Sequence, residues 1–175
     1  MTKLVISKIK SPSGALGEIE RGNLAITNQM PLSSWLDAEL VDSLLAYHPV
    51  SVRKVSRHYE VVSGFRAFHA ANALLESEEV IPVRVTNDDE IHLVKGALFE
   101  FITHSLMHCP DAIEAREHVY RQLNKLSTTL RKTYGIEMPN KLSRRKLKTL
   151  LGLKGRRITV SRQRKSELQR IMESR

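Results

Sequence analysis

Residues 59–71 read YEVVSGFRAFHAA, and no other stretch of the chain restricts its fold as tightly. Tyr59-Glu60-Val61-Val62 has the β-branched and aromatic character of a strand. Ser63-Gly64 breaks it, and 65–75 has the apolar spacing of a helix with Arg66 in its first turn. A second β-prone run, IPVRV, follows at 81–85. A glycine between a strand and a helix start lets the backbone come close to an anion. The free N–H groups and the helix dipole then favour a phosphate or another negative group. Arg66 adds a planar, charged fork suited to phosphate oxygens. His69 lies three residues on, on the same helical face, and is a candidate contact to a phosphate or base.

The neighbouring segments extend this pattern. Residues 4–9 are β-prone and predict a first strand, which Ser11-Pro12-Ser13-Gly14 ends. Residues 15–30 show no clear period and are read as loop with a turn of helix. Residues 34–47 predict a helix. Leu36, Leu40, Val41, Leu44 and Leu45 recur at helical spacing, Ser33 or Ser34 is the candidate cap, and Asp37 favours the dipole in the first turn. Trp35 is expected at the edge of the core. Val50 to Val55 alternates as a half-buried strand does, Ser56-Arg57-His58 turns, and 59–62 returns.

With these residues in place, the chain resembles the N-terminal domain of ParB-type partition proteins. That family has a strand and helix start of the type YELIAGERRWRAA, followed by a strand beginning IPV. Gly64, Arg66, Ala70, Ala71 and Ile81-Pro82-Val83 match this pattern. The helix-then-hairpin order before the turn is also what the fold has. Sulfiredoxin shares the fold. The resemblance covers about residues 1–88 and implies a ParB/sulfiredoxin-like domain that binds nucleotide phosphates, as CTP or ATP with Mg²⁺, through Gly64, Arg66 and His69. This chain departs from the pattern at three positions. Phe65 stands where partition proteins have Glu and sulfiredoxin has its reactive Cys, and Ala67 and His69 replace two arginines. Loss of the cysteine nucleophile argues against sulfiredoxin chemistry.

Charge divides the chain unevenly. Residues 140–175 hold 13 of the 28 Lys/Arg and 2 of the 19 Asp/Glu, a net +11. Residues 1–139 keep 15 basic and 17 acidic side chains, a net −2. A basic end of this kind points to a polyanion, nucleic acid first and an anionic membrane second. Before it, 91–107 reads as a helix begun by Asn87 as cap with Asp88, Asp89 and Glu90 behind it. A longer helix is expected from Pro110 to Tyr134, stopped by Gly135, with Val119, Leu123, Leu126 and Leu130 as its buried stripe. Residues 141–151 form another, with Leu142, Leu147, Leu150 and Leu151 apolar. The spacing from Leu147 through Leu151, Gly152 and Leu153 to Ile158 resembles a helix-turn-helix. The candidate DNA contacts are Arg144, Arg145, Lys148, Lys154, Arg156, Arg157, Ser161, Arg162, Arg164 and Lys165. Plain basic helices holding phosphates without reading bases are the alternative.

The fold class expected is therefore α+β, with 1–88 as the ParB/sulfiredoxin-like domain and 89–175 as a helical, basic DNA-binding region. The single cysteine, Cys109, excludes an intramolecular disulfide. No leader-like stretch opens the sequence and no run approaches ~18 apolar residues, so a cytoplasmic protein without a membrane partner is expected. His104, His108 and Cys109 have ligand-like spacing but no second ligand pair, and no metal is expected. The leading function is a nucleotide-responsive DNA-binding protein acting in plasmid or chromosome partition or on a mobile element, with a homodimer or a partner protein compatible with it. A nuclease or nucleotide hydrolase using the scattered acids Glu60, Asp88, Asp89 and Glu90 is the second class. A nucleotide-free protein-interaction module is the third, because Phe65 and Ala67 remove polarity from the turn.

Overall fold

The chain begins on one edge of a sheet and reaches the other within ten residues. The computed structural model describes residues 1–27, 36–109, 111–139, 142–156 and 158. Thr2–Val5 forms β1, a short 3₁₀ turn spans Ile6–Lys8, and Ile9–Lys10 forms β2. Helix α1 covers Gly14–Thr27 and α2 covers Ala38–Tyr47. The hairpin Val50–Val55 (β3) and His58–Ser63 (β4) follows, then Phe65–Leu74 (α3) and Val80–Thr86 (β5). Glu90–Met107 (α4), Ile113–Tyr134 (α5) and Arg144–Leu150 (α6) complete the described elements. The molecule is thus α+β, with a five-stranded mixed sheet in the order β1-β5-β3-β4-β2.

The middle of the sheet follows the sequence pattern closely. Val50 and Val52 are buried while Ser51 and Arg53 are half-exposed, as period-two alternation requires. The turn to β4 is two residues long, with Ser56 at a positive φ of 52°, a feature of the primed turns that match strand twist. Across the hairpin Arg53 stands opposite Glu60 and donates through Nε and Nη2 to its Oε2, at 3.1 and 2.9 Å. β5 lies parallel to β3, with Val50 opposite Val83 and Val52 opposite Val85.

Several expectations are corrected. The predicted first strand is two strands, because Ile6 turns into the core and its N–H bonds to the carbonyl of Glu79 at 2.9 Å. β1 then runs antiparallel to β5 and β2 parallel to β4. The stretch read as loop is the helix α1. Its inward face is Ala15, Leu16, Ile19, Glu20 and Asn23, a true helical period with two polar members that hide it from an apolar count. Helix α2 starts at Ala38, and its cap is Asp37, whose side chain accepts from Leu40 N at 2.9 Å. The proposed caps Ser33 and Ser34, and Trp35, lie outside the described residues. Leu40, expected inside, is exposed, since the buried stripe runs through Val41 and Leu45. Helix α4 is capped by Asp89, not Asn87, with Asp89 accepting from His92 N at 2.9 Å. Helix α5 begins at Ile113 after Ala112, Pro110 falls outside the described residues, and Gly135 ends the helix at φ 67°. The expected stripe Val119, Leu123, Leu126 and Leu130 is buried. Of the apolar residues read on 141–151, Leu147 and Leu151 are buried and Leu150 is exposed.

One hydrophobic cluster runs from Ile6 to Leu153 and draws on every helix. Phe101 of α4 is fully buried, and its ring lies against α1 where Gly22 leaves room, so that a Cβ there would meet Cζ at 3.5 Å. Side chains such as Phe101, Leu16 and Ile19 each contribute about 1.5–3 kcal/mol by leaving water. No helix among the described residues is long and apolar enough to cross a membrane.

Candidate functional site

The strand β4 delivers the chain to Gly64 at φ 74°, ψ 29°, a left-handed conformation that side chains avoid. A Cβ at this position would lie 3.0 Å from the carbonyl oxygen of Pro49 and 3.1 Å from Cα of Val50. The glycine therefore does two things: it turns the chain from β4 into α3, and it lets α3 start against the junction of α2 and β3. Phe65, Ala67, Phe68, Ala70 and Ala71 anchor α3 in the core. Arg66 and His69 are left facing a cavity of about 660 Å³.

That cavity lies between α1, α2, α3 and α4. Leu24, Leu36, Leu44 and Ala70 supply apolar lining, and Asn23, His48, Arg66, His69, Glu100 and His104 supply polar groups. Arg66 Nε donates to Asn23 Oδ1 at 3.0 Å. Its terminal nitrogens make no hydrogen bond among the described residues. Burial lowers the Arg66 pKa, opposed by the nearby Glu100 charge. His69 Nε2 lies 2.9 Å from Glu20 Oε1, which also accepts from Ser11 Oγ at 2.9 Å. Glu20 is only 4% exposed, so this pair fixes the histidine ring from the protein interior.

The start of α3 holds an anion drawn from the protein itself. Gly64 N lies 3.1 and 3.3 Å from the two carboxylate oxygens of Glu100, on α4. Burial raises the Glu100 pKa, with the Gly64 N–H, Arg66 and His48 pulling the other way. One turn further along α4, His104 is pushed down to about 4 by burial and by Arg66, His108 and His48. It stays neutral through the physiological range. Its ring centroid is 4.4 Å from that of His108. Burial also pushes the Cys109 thiol up. Among the described residues no group of three or more His, Cys, Asp or Glu side chains is placed to hold a metal ion. The four scattered acids are separately engaged. Glu60 pairs with Arg53, Asp88 accepts from Thr86, Asp89 caps α4, and Glu90 lies in that helix's first turn.

At the basic end, α6 is capped by Ser143, whose Oγ accepts from Lys146 N. Leu147, Leu151 and Leu153 are buried around the turn at Gly152. Residues 154–155 turn again, so no second helix starts before 156. The rest of the expected helix, with Arg157, Ser161, Arg162, Arg164 and Lys165, lies outside the described residues. Arg144, Arg145 and Lys154 are exposed. Arg144 Nη2 reaches Thr128 Oγ1 at 3.3 Å. Two other predicted DNA contacts work within the molecule. Lys148 Nζ donates to the carbonyl of Arg156 at 3.0 Å and lies 5.6 Å from the centre of the Tyr120 ring. Arg156 Nε pairs with Glu117 Oε1 at 3.2 Å.

The structure brings Gly64, Arg66 and His69 to one cavity, while α6, in the described part of the basic end, packs on α5. Asn23, His48 and Glu100 of the cavity escaped the sequence reading, as did Glu20 behind His69. A signal for one was present, since Glu100 is a lone charge between Leu98 and the buried pair Phe101-Ile102. No family model matches this chain, and no curated protein or solved structure matches it either.

Proposed function

We propose that the chain is a DNA-binding protein of ParB-like type whose cavity at the start of α3 takes the phosphates of a nucleotide, CTP or ATP with Mg²⁺. The observation that carries this reading is the Gly64 turn, which sets a helix N-terminus and Arg66 side by side on a cavity of about 660 Å³. Helix dipole, backbone N–H groups and a guanidinium fork are the three elements that recognise phosphate oxygens. The apolar side of the cavity, Leu24, Leu36 and Leu44, suits the uncharged part of such a ligand. The basic end supports a nucleic-acid partner, with exposed Arg144, Arg145 and Lys154 as phosphate contacts. Acting in partition or in control of a mobile element follows from the same resemblance.

Calorimetric titration of CTP and ATP with Mg²⁺ into the protein and into Arg66→Ala tests the cavity. Saturable binding lost in the variant supports the reading, and absence of binding by both nucleotides overturns it. For DNA, Arg145→Ala is expected to weaken binding evenly across sequences and to lower the salt slope by about 1. An unchanged slope removes Arg145 from the interface.

A second reading, a nucleotide hydrolase, is favoured by one observation. The buried Glu20 orients His69 in the same cavity as Arg66, the arrangement of a carboxylate-positioned general base. Phosphate release that disappears in His69→Gln and Glu20→Gln while nucleotide binding persists would establish it. The same release in both variants excludes the pair from catalysis.

A further inference from the structure

The carboxylate of Glu100 lies where the bound anion is expected. Both its oxygens are within 3.3 Å of Gly64 N, and Arg66 is its nearest opposite charge in the cavity wall. No ion pair closer than 4.0 Å joins Glu100 to Arg66, so its hold on the turn is the single N–H of Gly64 together with the field of α3. An incoming phosphate carries more charge and more acceptor oxygens than a carboxylate, and would meet Glu100 as a like charge at contact distance.

We propose that Glu100 is a displaceable internal occupant of the anion seat, so that a phosphate group enters the cavity only as Glu100 gives up Gly64. This rests on the reading of the cavity as a phosphate site and adds how that site is regulated. Two consequences follow. Release of Glu100 detaches the one hydrogen-bonded link between α4 and the Gly64 turn, so occupancy of the cavity is communicated to α4. Occupancy is also proton-linked. Burial raises the Glu100 pKa, so its carboxyl takes up a proton more readily as pH falls, and the like-charge repulsion disappears. The other groups facing Glu100 are Arg66 from α3, His48 from the end of α2 and His104 from its own helix. Arg66 stays charged throughout. His104, with a pKa of about 4, stays uncharged above pH 5. His48 acts on the Glu100 charge from the end of α2, so it needs its own control.

The experiment is titration of ATP, CTP and inorganic pyrophosphate at pH 6 and pH 8 into the full chain, Glu100→Gln, Glu100→Ala, His48→Gln and Arg66→Ala. The ligands change protonation between these pH values, and the variants carry that change equally, so each is compared with the parent at the same pH. The parent's weaker binding relative to the Glu100 variants is expected to narrow from pH 8 to pH 6. Glu100→Gln is expected to bind about tenfold more tightly than the parent at pH 8. Glu100→Ala, which removes the occupant altogether, is expected to do the same, and His48→Gln to leave the Glu100 effect in place. Thermal melts establish that each variant folds. Binding by the parent that is unchanged or weakened in both Glu100 variants overturns the proposal and makes Glu100 a partner of the ligand. A pH effect that vanishes in His48→Gln but persists in the Glu100 variants also overturns it. Absence of binding by every protein overturns the phosphate reading itself, and the proposal with it.

Discussion

Gly64 shows how much one residue can decide. Its left-handed backbone and its 3.0 Å approach to the carbonyl of Pro49 leave no place for a side chain. Gly64→Ala is expected to cost about 1–3 kcal/mol, read as a lowered urea midpoint at constant m-value. Gly135→Ala sets the contrast, because nothing lies within 4 Å of a Cβ there and only the strain of φ 67° remains. His104 makes a second residue-scale prediction. Its pKa is held at about 4 against an ordinary 6.5, so the unfolded chain binds a proton that the folded one refuses. Stability therefore falls as pH drops from 6.5 through 4. His104→Gln removes that contribution, and the loss of denaturation midpoint between pH 7 and pH 5 should be smaller than in the parent. Glu100 has the opposite sign, since its raised pKa makes the folded state the stronger proton acceptor, and it partly masks the effect in the parent.

Among the elements, α2 offers a simple test of where a helix begins. Asp37 accepts from Leu40 N at 2.9 Å, and Asp37→Ala should lower stability by about 1 kcal/mol in a denaturant titration, whereas Asn at the same position should preserve most of it. The sequence made the hairpin, α3, β5 and α5 legible because each carries a clean period bounded by a turn or glycine. Val50 and Val52 alternate, and Val119, Leu123, Leu126 and Leu130 repeat every three to four residues. Helix α1 was not legible for a physical reason. Glu20 and Asn23 occupy its buried face, satisfied by Ser11 just before the helix and by Arg66 and His69 more than forty positions on, and an apolar count scores them as surface. The cavity was half visible on the same ground. Gly64 and Arg66 announce themselves locally, while Glu100 reaches the turn across 36 positions of sequence. Cap positions were missed by two residues at α4 because Asn87, Asp88 and Asp89 are chemically equivalent candidates, and only backbone geometry selects Asp89.

At the scale of the whole molecule, one continuous core joins the sheet to the later helices. Helix α5 covers α1, and His118 Nε2 meets the carbonyl of Ala25 at 2.9 Å. Unfolding should accordingly be a single cooperative transition, with far-ultraviolet circular dichroism and near-ultraviolet signals coincident. A fragment of residues 1–88 should lack a stable fold, because it strips α4 and α5 from α1. Two separated transitions, or a folded 1–88 fragment, would contradict a shared core. The sheet order has a bearing on synthesis as well. β1 must wait for β5, with Lys3 paired to Pro82, and β2 must wait for β4, with Ile9 paired to Tyr59. The two margins of the sheet therefore close at different moments of synthesis: β2 can seat itself as soon as β4 emerges, while β1 stays without a strand partner until β5 has been translated.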